Sequence, residues 1–395
     1  MAAIHCLIFD PIAFQGGSKI ATRMALQQVG ANQAQFTIVT RHPESWHHSA
    51  FNSKHSVEII TLPSCGNLGL ATQGLSYWFK HGVYFLWLCW FALRCPRFHL
   101  LLGSSGPGVD MALHLFARVT RIPLIQLVHG PVGQSRATGY CLSKANKLFY
   151  LPSSKPSLLK ALGHYYASSF GSDNAQTLAA FTLASRHSQE FVNGLPIEQW
   201  PTQCQYHSPC IFWAASLLKW KGLDLLLESL DQLVKRVPST THICYIKPQQ
   251  THLPTSHAPR SLPHVNWHED PQDLDAIRSQ CNLFVSTSQQ EPFGLSILEA
   301  LAAGMCVIIP EDNAYWDSLL THELNCLKYA PNDANSLAET LHRAITEPHL
   351  AQRLGNQALD IAQHYHAEEC YWPIAQSVQQ GAAPSHSHQS SYHFL

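Results

Sequence analysis

Short apolar runs alternate along the chain with longer amphipathic ones. "IHCLIFD" (4–10) is a continuous apolar run closed by Asp10, the pattern of a strand covered on both faces. A Gly-Gly turn, the helical "SKIATRMALQQVG" and a second run, "AQFTIVT" (34–40), follow it. "FHLLLGS", "VDMALHLFARVT", "PLIQLVHG" and "ANKLFYLPS" continue the series. Strand and helix in regular succession predict a parallel, doubly wound sheet.

The rhythm breaks at "FVNGLPIEQWPTQCQYHSP" (191–209), where two prolines and an Asn-Gly turn mark a linker. A second series then runs from "CIFWAAS" through "KGLDLLLESLDQLVKRV", "HICYIK", "CNLFVSTS" and "GLSILEALAAG" to "MCVIIP". The expected fold is therefore α/β, two Rossmann-like doubly wound domains facing a central cleft. Residues 1–195 form the first and 205–365 the second, with a helix over 366–380 and a small, polar, His-rich tail over 381–395 that predicts no fold. A length of 395 residues agrees with two cores rather than one.

Composition adds two constraints. Apolar residues are 46 % of the chain and charged ones 13 %, a globular balance with polarity drawn from His, Gln, Ser and Thr. Residues 1–200 hold 15 Lys and Arg against 7 Asp and Glu, and the remainder reverses the sign. The first half is therefore expected to meet something anionic, a membrane surface or a phosphorylated substrate. No nucleic-acid partner is expected. Twelve cysteines without a CxxC pair read as reduced core thiols, so neither a disulfide frame nor a metal site is expected. The start lacks a signal-peptide pattern, which predicts a cytoplasmic protein.

"VYFLWLCWFAL" (83–93) is far shorter than the ~20 residues of a spanning helix. The wider segment "YWFKHGVYFLWLCWFALRCPR" joins Lys80, Arg94 and Arg97 to several tryptophans, as an interfacial helix does. A helix buried on the N-terminal sheet is the other reading, because apolar residues surround it rather than forming one stripe.

Candidate chemistry sits at strand-to-helix turns, where doubly wound sheets bind ligands. Gly16 and Gly17 open the first helix, either to admit a ligand anion to its N-terminus or to make a tight turn. In "EPFGLSILEALAAG", Glu299 borders the apolar stripe of a helix, and a carboxylate there needs a donor such as the hydroxyl pair of a ribose. A solvated glutamate at the helix start is the alternative. Lys219 and Lys221 stand before another helix, suited to a diphosphate or to plain solvent. "DLD" (273–275) reads as a helix start.

These residues together resemble the retaining glycosyltransferases of family 4, which have the GT-B fold. "EPFGLSILEA" is similar to their glutamate, seven residues, glutamate motif, "KGLDLLLESL" to their Lys-Gly segment, and "VNGLPIEQW" to their interdomain turn. "HYHAEECYWPIAQSVQQ" resembles their last helix, which returns to the N-terminal domain. The resemblance implies a nucleotide-sugar donor of UDP or GDP type in the second domain and a glycan or lipid-linked acceptor in the first. It assigns Glu291, Phe293, Gly294 and Leu295 to the donor sugar and phosphates, Glu299 to the ribose, Lys221 to the leaving diphosphate and His129 to the transferred sugar. Glu291, His129 and Lys221 are then the catalytic set; Lys219, Ser216, Gly16 and Gly17 complete the donor site. Reaction with retention, no metal, no cofactor and a role in cell-surface polysaccharide synthesis at the inner face of the plasma membrane are implied.

The pattern departs in three places that bear on catalysis, two of them Lys247 where the family has a glycine and Asn325-Cys326 where it has Asn-Gly. Where the family has Gly-Arg ahead of the Lys-Gly segment, this chain has Ala215 and Ser216. A degenerate GT-B protein that binds nucleotide sugar or a partner enzyme is thus the alternative function. A nicotinamide oxidoreductase is disfavoured because no GxGxxG with a following acid is present.

Overall fold

The computed structural model describes residues 3–64, 66, 69, 71–95, 97–248, 251 and 253–381; the tail from 382 onward lies outside the described residues. Strands β1 (Ile4–Asp10), β2 (Ala34–Thr40), β3 (Ser56–Thr61), β4 (Leu100–Gly103), β5 (Leu124–Val128), β6 (Lys147–Tyr150) and β7 (Ser188–Glu190) form one sheet in the order β3-β2-β1-β4-β5-β6-β7. Every pairing is parallel. A second parallel sheet takes β8 (Cys210–Ser216), β9 (Thr240–Ile246), β10 (Val265–Glu269), β11 (Leu283–Val285), β12 (Cys306–Pro310) and β13 (Leu327–Tyr329) in the order β10-β9-β8-β11-β12-β13. In each sheet the order reverses beside the first strand, which opens a crevice at the strands' carboxyl ends.

Helices cover both faces. The helix Leu223–Leu233 buries Leu223, Leu226, Leu227, Leu230 and Leu233, a stripe at helical spacing that packs on the second sheet. Its start is fixed by Gly222 at φ 74°, where a Cβ would lie 2.1 Å from the Thr287 carbonyl oxygen. Only glycine fits there. After the second sheet the chain turns back, and the helix Trp372–Gln379 packs against the helix Gly17–Gln27 and β1. Backbone bonds Leu195 N–H to Tyr365 O (2.8 Å) and Ala367 N–H to Leu195 O (3.0 Å) lock this crossing.

Four of the fifteen basic side chains of the first half are held inside it. Lys19 is paired with the buried Asp10 at 2.9 Å, and Asp10 also accepts from Trp46 Nε1 (2.9 Å) and Thr40 Oγ1 (2.8 Å). Arg23 donates to Ser45 O, Lys80 to Ala71 O and Lys147 to Arg186 O, and all three side chains are buried. These four cations are withdrawn from the surface, and Lys80 is not a headgroup ligand. Burial selects these partners because an unpaired interior cation costs several kcal/mol.

The helix Gly74–Ala92 is apolar on two faces. Its inward face carries Tyr77, Lys80, His81, Tyr84, Leu88 and Phe91. Leu75, Trp78, Phe79, Leu86 and Trp90, with Leu93 just beyond, are each at least half exposed and share the opposite face. Apolar residues thus surround the helix: Tyr84, Leu88 and Phe91 join the core against the first sheet, and a second apolar set faces solvent. No helix of the described residues is long and apolar enough to cross a membrane.

Candidate active site

A cleft of about 1650 Å³ separates the two domains, lined by loops at the carboxyl ends of both sheets. From the second domain it receives the turn after β11. Glu291 and Pro292 lead into Gly294, which adopts φ 76° and caps the helix Leu295–Ala302. A Cβ on Gly294 would come 2.8 Å from Glu291 Cγ, so glycine also makes room for the glutamate. The turn is held from below by Asp312, whose Oδ2 accepts from Gln290 N at 2.7 Å. The helix start therefore presents unpaired N–H groups to the cleft, the position that favours an anion.

Lys221 meets this turn directly. Its Nζ lies 2.5 Å from Glu291 Oε2, with both side chains largely buried, and 4.1 Å from the Trp220 ring centroid. Its backbone carbonyl accepts from Thr287 Oγ1 (2.9 Å), which itself accepts from Trp213 Nε1 (2.9 Å). Two sequence-distant residues thus form one fixed charge pair. Among the described residues, Lys221 is the cation on the second domain's wall of the cleft.

Glu299 corrects the expectation that its carboxylate must wait for a ligand. Arg278 Nη1 donates to Glu299 Oε2 at 2.6 Å, and Arg278 Nη2 to Asp275 Oδ1 at 2.8 Å. The guanidinium is buried, while Glu299 still lines the cleft. One carboxylate oxygen is thereby engaged from behind and the other remains for a ligand. Sequence reasoning missed Arg278. Its i,i+3 spacing from Asp275 marks a helical ion pair, but nothing in the sequence links it to a residue 21 positions on. Asp273 caps the helix Leu274–Arg278 by accepting from Ala276 N at 2.9 Å, so "DLD" is a helix start.

The first domain brings four loop segments, 14–18, 71–74, 104–109 and 128–135. His129, after β5, lines the cleft with Nε2 2.9 Å from Thr22 Oγ1 and a buried Nδ1 that has no partner. Burial pulls its pKa down to about 4, so the imidazole is neutral near pH 7. It can give or take a hydrogen bond but supplies no charge. A Cβ on the neighbouring Gly130 would lie 3.5 Å from Pro292 Cγ, which places the His129 and Glu291 loops against each other across the domain boundary. Gly16 and Gly17 line the same space; neither has a positive φ, and a Cβ on Gly17 would meet nothing within 4 Å. The turn itself does not demand glycine there. Arg118 and Arg136, unremarked in the sequence, also line the first-domain side.

Of the other expected residues, Phe293, Leu295 and Ser216 lie at the cleft. Lys219 does not. Its Nζ is 2.8 Å from Asp224 Oδ2, on the outer side of its turn, and that carboxylate, held also by Ser256, satisfies it. Lys247, a further cation near the end of β9, is likewise paired outside the cleft with Glu269 at 2.6 Å.

Residues 202–360 match the family model Glycosyl transferases group 1, so the match falls on the second domain. No curated protein sequence matches the chain. Among solved structures, Anabaena HepE in complex with UDP superposes with a TM-score of 0.62 at 16 % identity, covering 95 % of this chain and 100 % of that one. The sucrose-phosphate synthase of Thermosynechococcus elongatus gives 0.66 at 15 % identity, covering 95 % and 98 %. A glycosyltransferase from Rickettsia africae gives 0.63 at 12 % identity, covering 98 % and 100 %. At such identities the likeness carries the fold: two Rossmann-like domains facing a cleft, as in GT-B glycosyltransferases.

Proposed function

We propose that this protein transfers a hexose from a UDP-sugar to a lipid-linked glycan acceptor with retention of anomeric configuration. The observation that carries the reading is the Lys221–Glu291 pair, set at the start of the helix Leu295–Ala302 and facing His129. HepE, a protein similar over most of the chain, has been solved with UDP and with UDP-glucose, which favours uridine over guanosine for the donor.

In this reading the ribose hydroxyls take the free oxygen of Glu299, whose orientation Arg278 fixes. The diphosphate lies over the N–H groups at Leu295 and Ser296, with Lys221 as its cation. Glu291 and His129 hold the sugar hydroxyls. The bond between the anomeric carbon and the phosphate oxygen breaks through an oxocarbenium-like state, and the acceptor hydroxyl attacks from the face the diphosphate leaves. Its proton passes to the departing phosphate oxygen. Negative charge grows on that oxygen, so the preorganised ammonium and helix N–H dipoles supply most of the stabilisation. His129 stays neutral and positions rather than neutralises.

The lipid-linked acceptor is supported by the exposed apolar face of the helix Gly74–Ala92. Its first turns line the cleft, and its exposed stripe runs outward from there, ending at Arg94, which stacks 3.8 Å over Trp90. Such a surface suits the headgroup region of a membrane at its cytosolic face, where anionic lipid meets the arginines. Extension of a cell-surface polysaccharide precursor is the activity that this geometry serves.

A binding protein without turnover is the second reading. It is favoured by Ser216 in the place of an arginine. The deciding experiment offers UDP-, GDP- and ADP-sugars to the protein with polyprenyl-phosphate-linked sugar acceptors. Proton NMR of the product would show the donor's anomeric configuration retained. Donor-dependent thermal stabilisation with neither transfer nor hydrolysis would establish the binding protein instead.

A further inference from the structure

At the amino-terminal end of the second sheet's inner strands, opposite the cleft, three side chains from separate segments converge. Cys210 opens β8, His242 lies in β9 and Cys281 precedes β11. The two sulfurs are 3.2 Å apart, and these with a ring nitrogen of His242 all lie within 4.8 Å of one another. We propose that Cys210, His242 and Cys281 bind a zinc ion. The sequence holds no metal-binding spacing because the three ligands are about 30 to 40 residues apart and only the parallel β8–β9–β11 arrangement assembles them.

The donor set and its charge select the ion. Thiolate and imidazole together suit zinc and copper(I), whereas carboxylate-preferring ions are excluded by the absence of oxygen ligands in the set. Two thiolates cancel the charge of a divalent ion and leave a monovalent one overcompensated in a buried place, so zinc is the better match. Zinc–sulfur bonds of about 2.3 Å in tetrahedral geometry put sulfurs about 3.8 Å apart, so the two need separate by only roughly 0.5 Å.

The surroundings are built to hold these groups. His242 Nδ1 lies 3.0 Å from His268 Nε2, with the two rings stacked, which commits one nitrogen of His242 and leaves Nε2 for a metal. Beside Cys281, the buried Asn282 accepts from Cys210 N (3.1 Å) and donates to Ser208 O (2.8 Å) and Gln205 O (3.1 Å). The thiol-bearing backbone is thus fixed on both sides. His242 and His268 are only half-buried, which gives an ion a path from solvent and a water molecule the fourth position. Bound zinc would tie the start of β8 and β9 to the segment that follows Arg278.

Binding is an exchange without oxidation: two thiols lose their protons, two sulfur–zinc bonds form, and two protons leave for buffer. The full-length protein, purified without chelator, should carry one equivalent of zinc by plasma mass spectrometry, and chelation should lower its Tm until zinc is restored. Cobalt(II) added to the chelated protein should give thiolate-to-cobalt charge-transfer absorption at one equivalent, tighter as pH rises. Cys210→Ser and Cys281→Ser should abolish that absorption and His242→Ala weaken binding at least tenfold, while Cys95→Ser in the first domain leaves it unchanged. Cobalt binding without charge-transfer absorption, or no stoichiometric metal in wild type, would overturn the proposal without recourse to a variant. Two thiols missing from titration of the untreated protein and recovered by reductant would show a disulfide in the metal's place.

Discussion

Lys221 Nζ and Glu291 Oε2 lie 2.5 Å apart although 70 residues separate them, and the contact joins the turn before one helix to the turn before another. A donor diphosphate must compete with Glu291 for this ammonium. That competition makes the two residues separable by experiment: the lysine serves the phosphates, whereas the glutamate restrains the lysine and then receives the sugar.

Lys221→Ala is expected to lower UDP affinity by roughly 10- to 150-fold, the effect of losing charge-assisted hydrogen bonds worth ~1.5 to 3 kcal/mol, and to abolish detectable transfer. Glu291→Gln should act differently. It keeps the shape, frees the ammonium, and should hold or tighten UDP while kcat falls. Calorimetry with UDP beside steady-state kinetics measures both; equal losses of UDP affinity in the two variants would refute the division of roles.

Glu299→Ala should weaken UDP binding and also destabilise the fold, because Arg278 is buried and would keep Asp275 alone as its charge partner. Stranding part of a buried guanidinium costs about 1 to 3 kcal/mol. Glu299→Gln, which still accepts a hydrogen bond, should recover most of the stability but not the affinity. Chemical denaturation of the three proteins without ligand tests this; an unchanged midpoint for Glu299→Ala would mean that the arginine is satisfied without it.

Stability should rise with pH between about 4 and 6.5. Burial depresses His55, His114 and His129 to about 4 and His81 to about 3, so over this interval the unfolded chain binds protons that the folded chain refuses. Asp110 opposes them. Burial pushes its carboxyl up to about 8, so the folded state holds a proton that the unfolded state has lost above its ordinary 3.8, and this contribution falls as pH rises. Four histidines outweigh one aspartate below 6.5, and above it their contribution ends while that of the aspartate continues. Melting temperatures across pH 4 to 8 should therefore climb to a maximum near 6.5 and then decline gently. Asp110→Asn should flatten the decline.

The two sheets were legible because parallel strands covered on both faces leave continuous apolar runs, as in "IHCLIFD" and "CNLFVSTS". The turns that line the cleft were legible too, since Gly222 and Gly294 occupy backbone positions that other residues do not fill. Partnership was not. Nothing in the order of residues says that Arg278 reaches Glu299, that Asp224 holds Lys219 away from the cleft, or that Asp10 absorbs Lys19. Charge counts and motif spacings are one-dimensional, and ion pairs between residues 5, 9 and 21 positions apart depend on which faces the fold brings together. The helix Gly74–Ala92 shows the same limit: its composition is apolar all round, and only packing reveals that the polar Lys80 and His81 point in while Trp78 and Trp90 point out.

That outward face yields the last prediction. Besides burying Tyr84, Leu88 and Phe91, the helix exposes Leu75, Trp78, Phe79, Leu86 and Trp90, and this second stripe forgoes hydrophobic stabilisation unless something apolar covers it. If that cover is a membrane, the protein should co-sediment with vesicles of anionic lipid and less with zwitterionic ones. Arg94 and Arg97 are exposed beside the stripe and each should add about 1 kcal/mol, so Arg94→Ser with Arg97→Ser should weaken anionic-vesicle binding roughly 30-fold at low salt. Salt should mimic part of this loss, since charges are screened beyond about 10 Å at 0.1 M. Trp78→Ser, Leu86→Ser and Trp90→Ser together should abolish binding at every ionic strength, because the apolar contact is not screened. Lys80→Ser belongs to a different class: this buried lysine donates to Ala71 O, so its loss should lower Tm without a specific effect on vesicles. Wild-type protein that stays in the supernatant with both lipids at low salt would end the membrane assignment and return the acceptor question to soluble glycans.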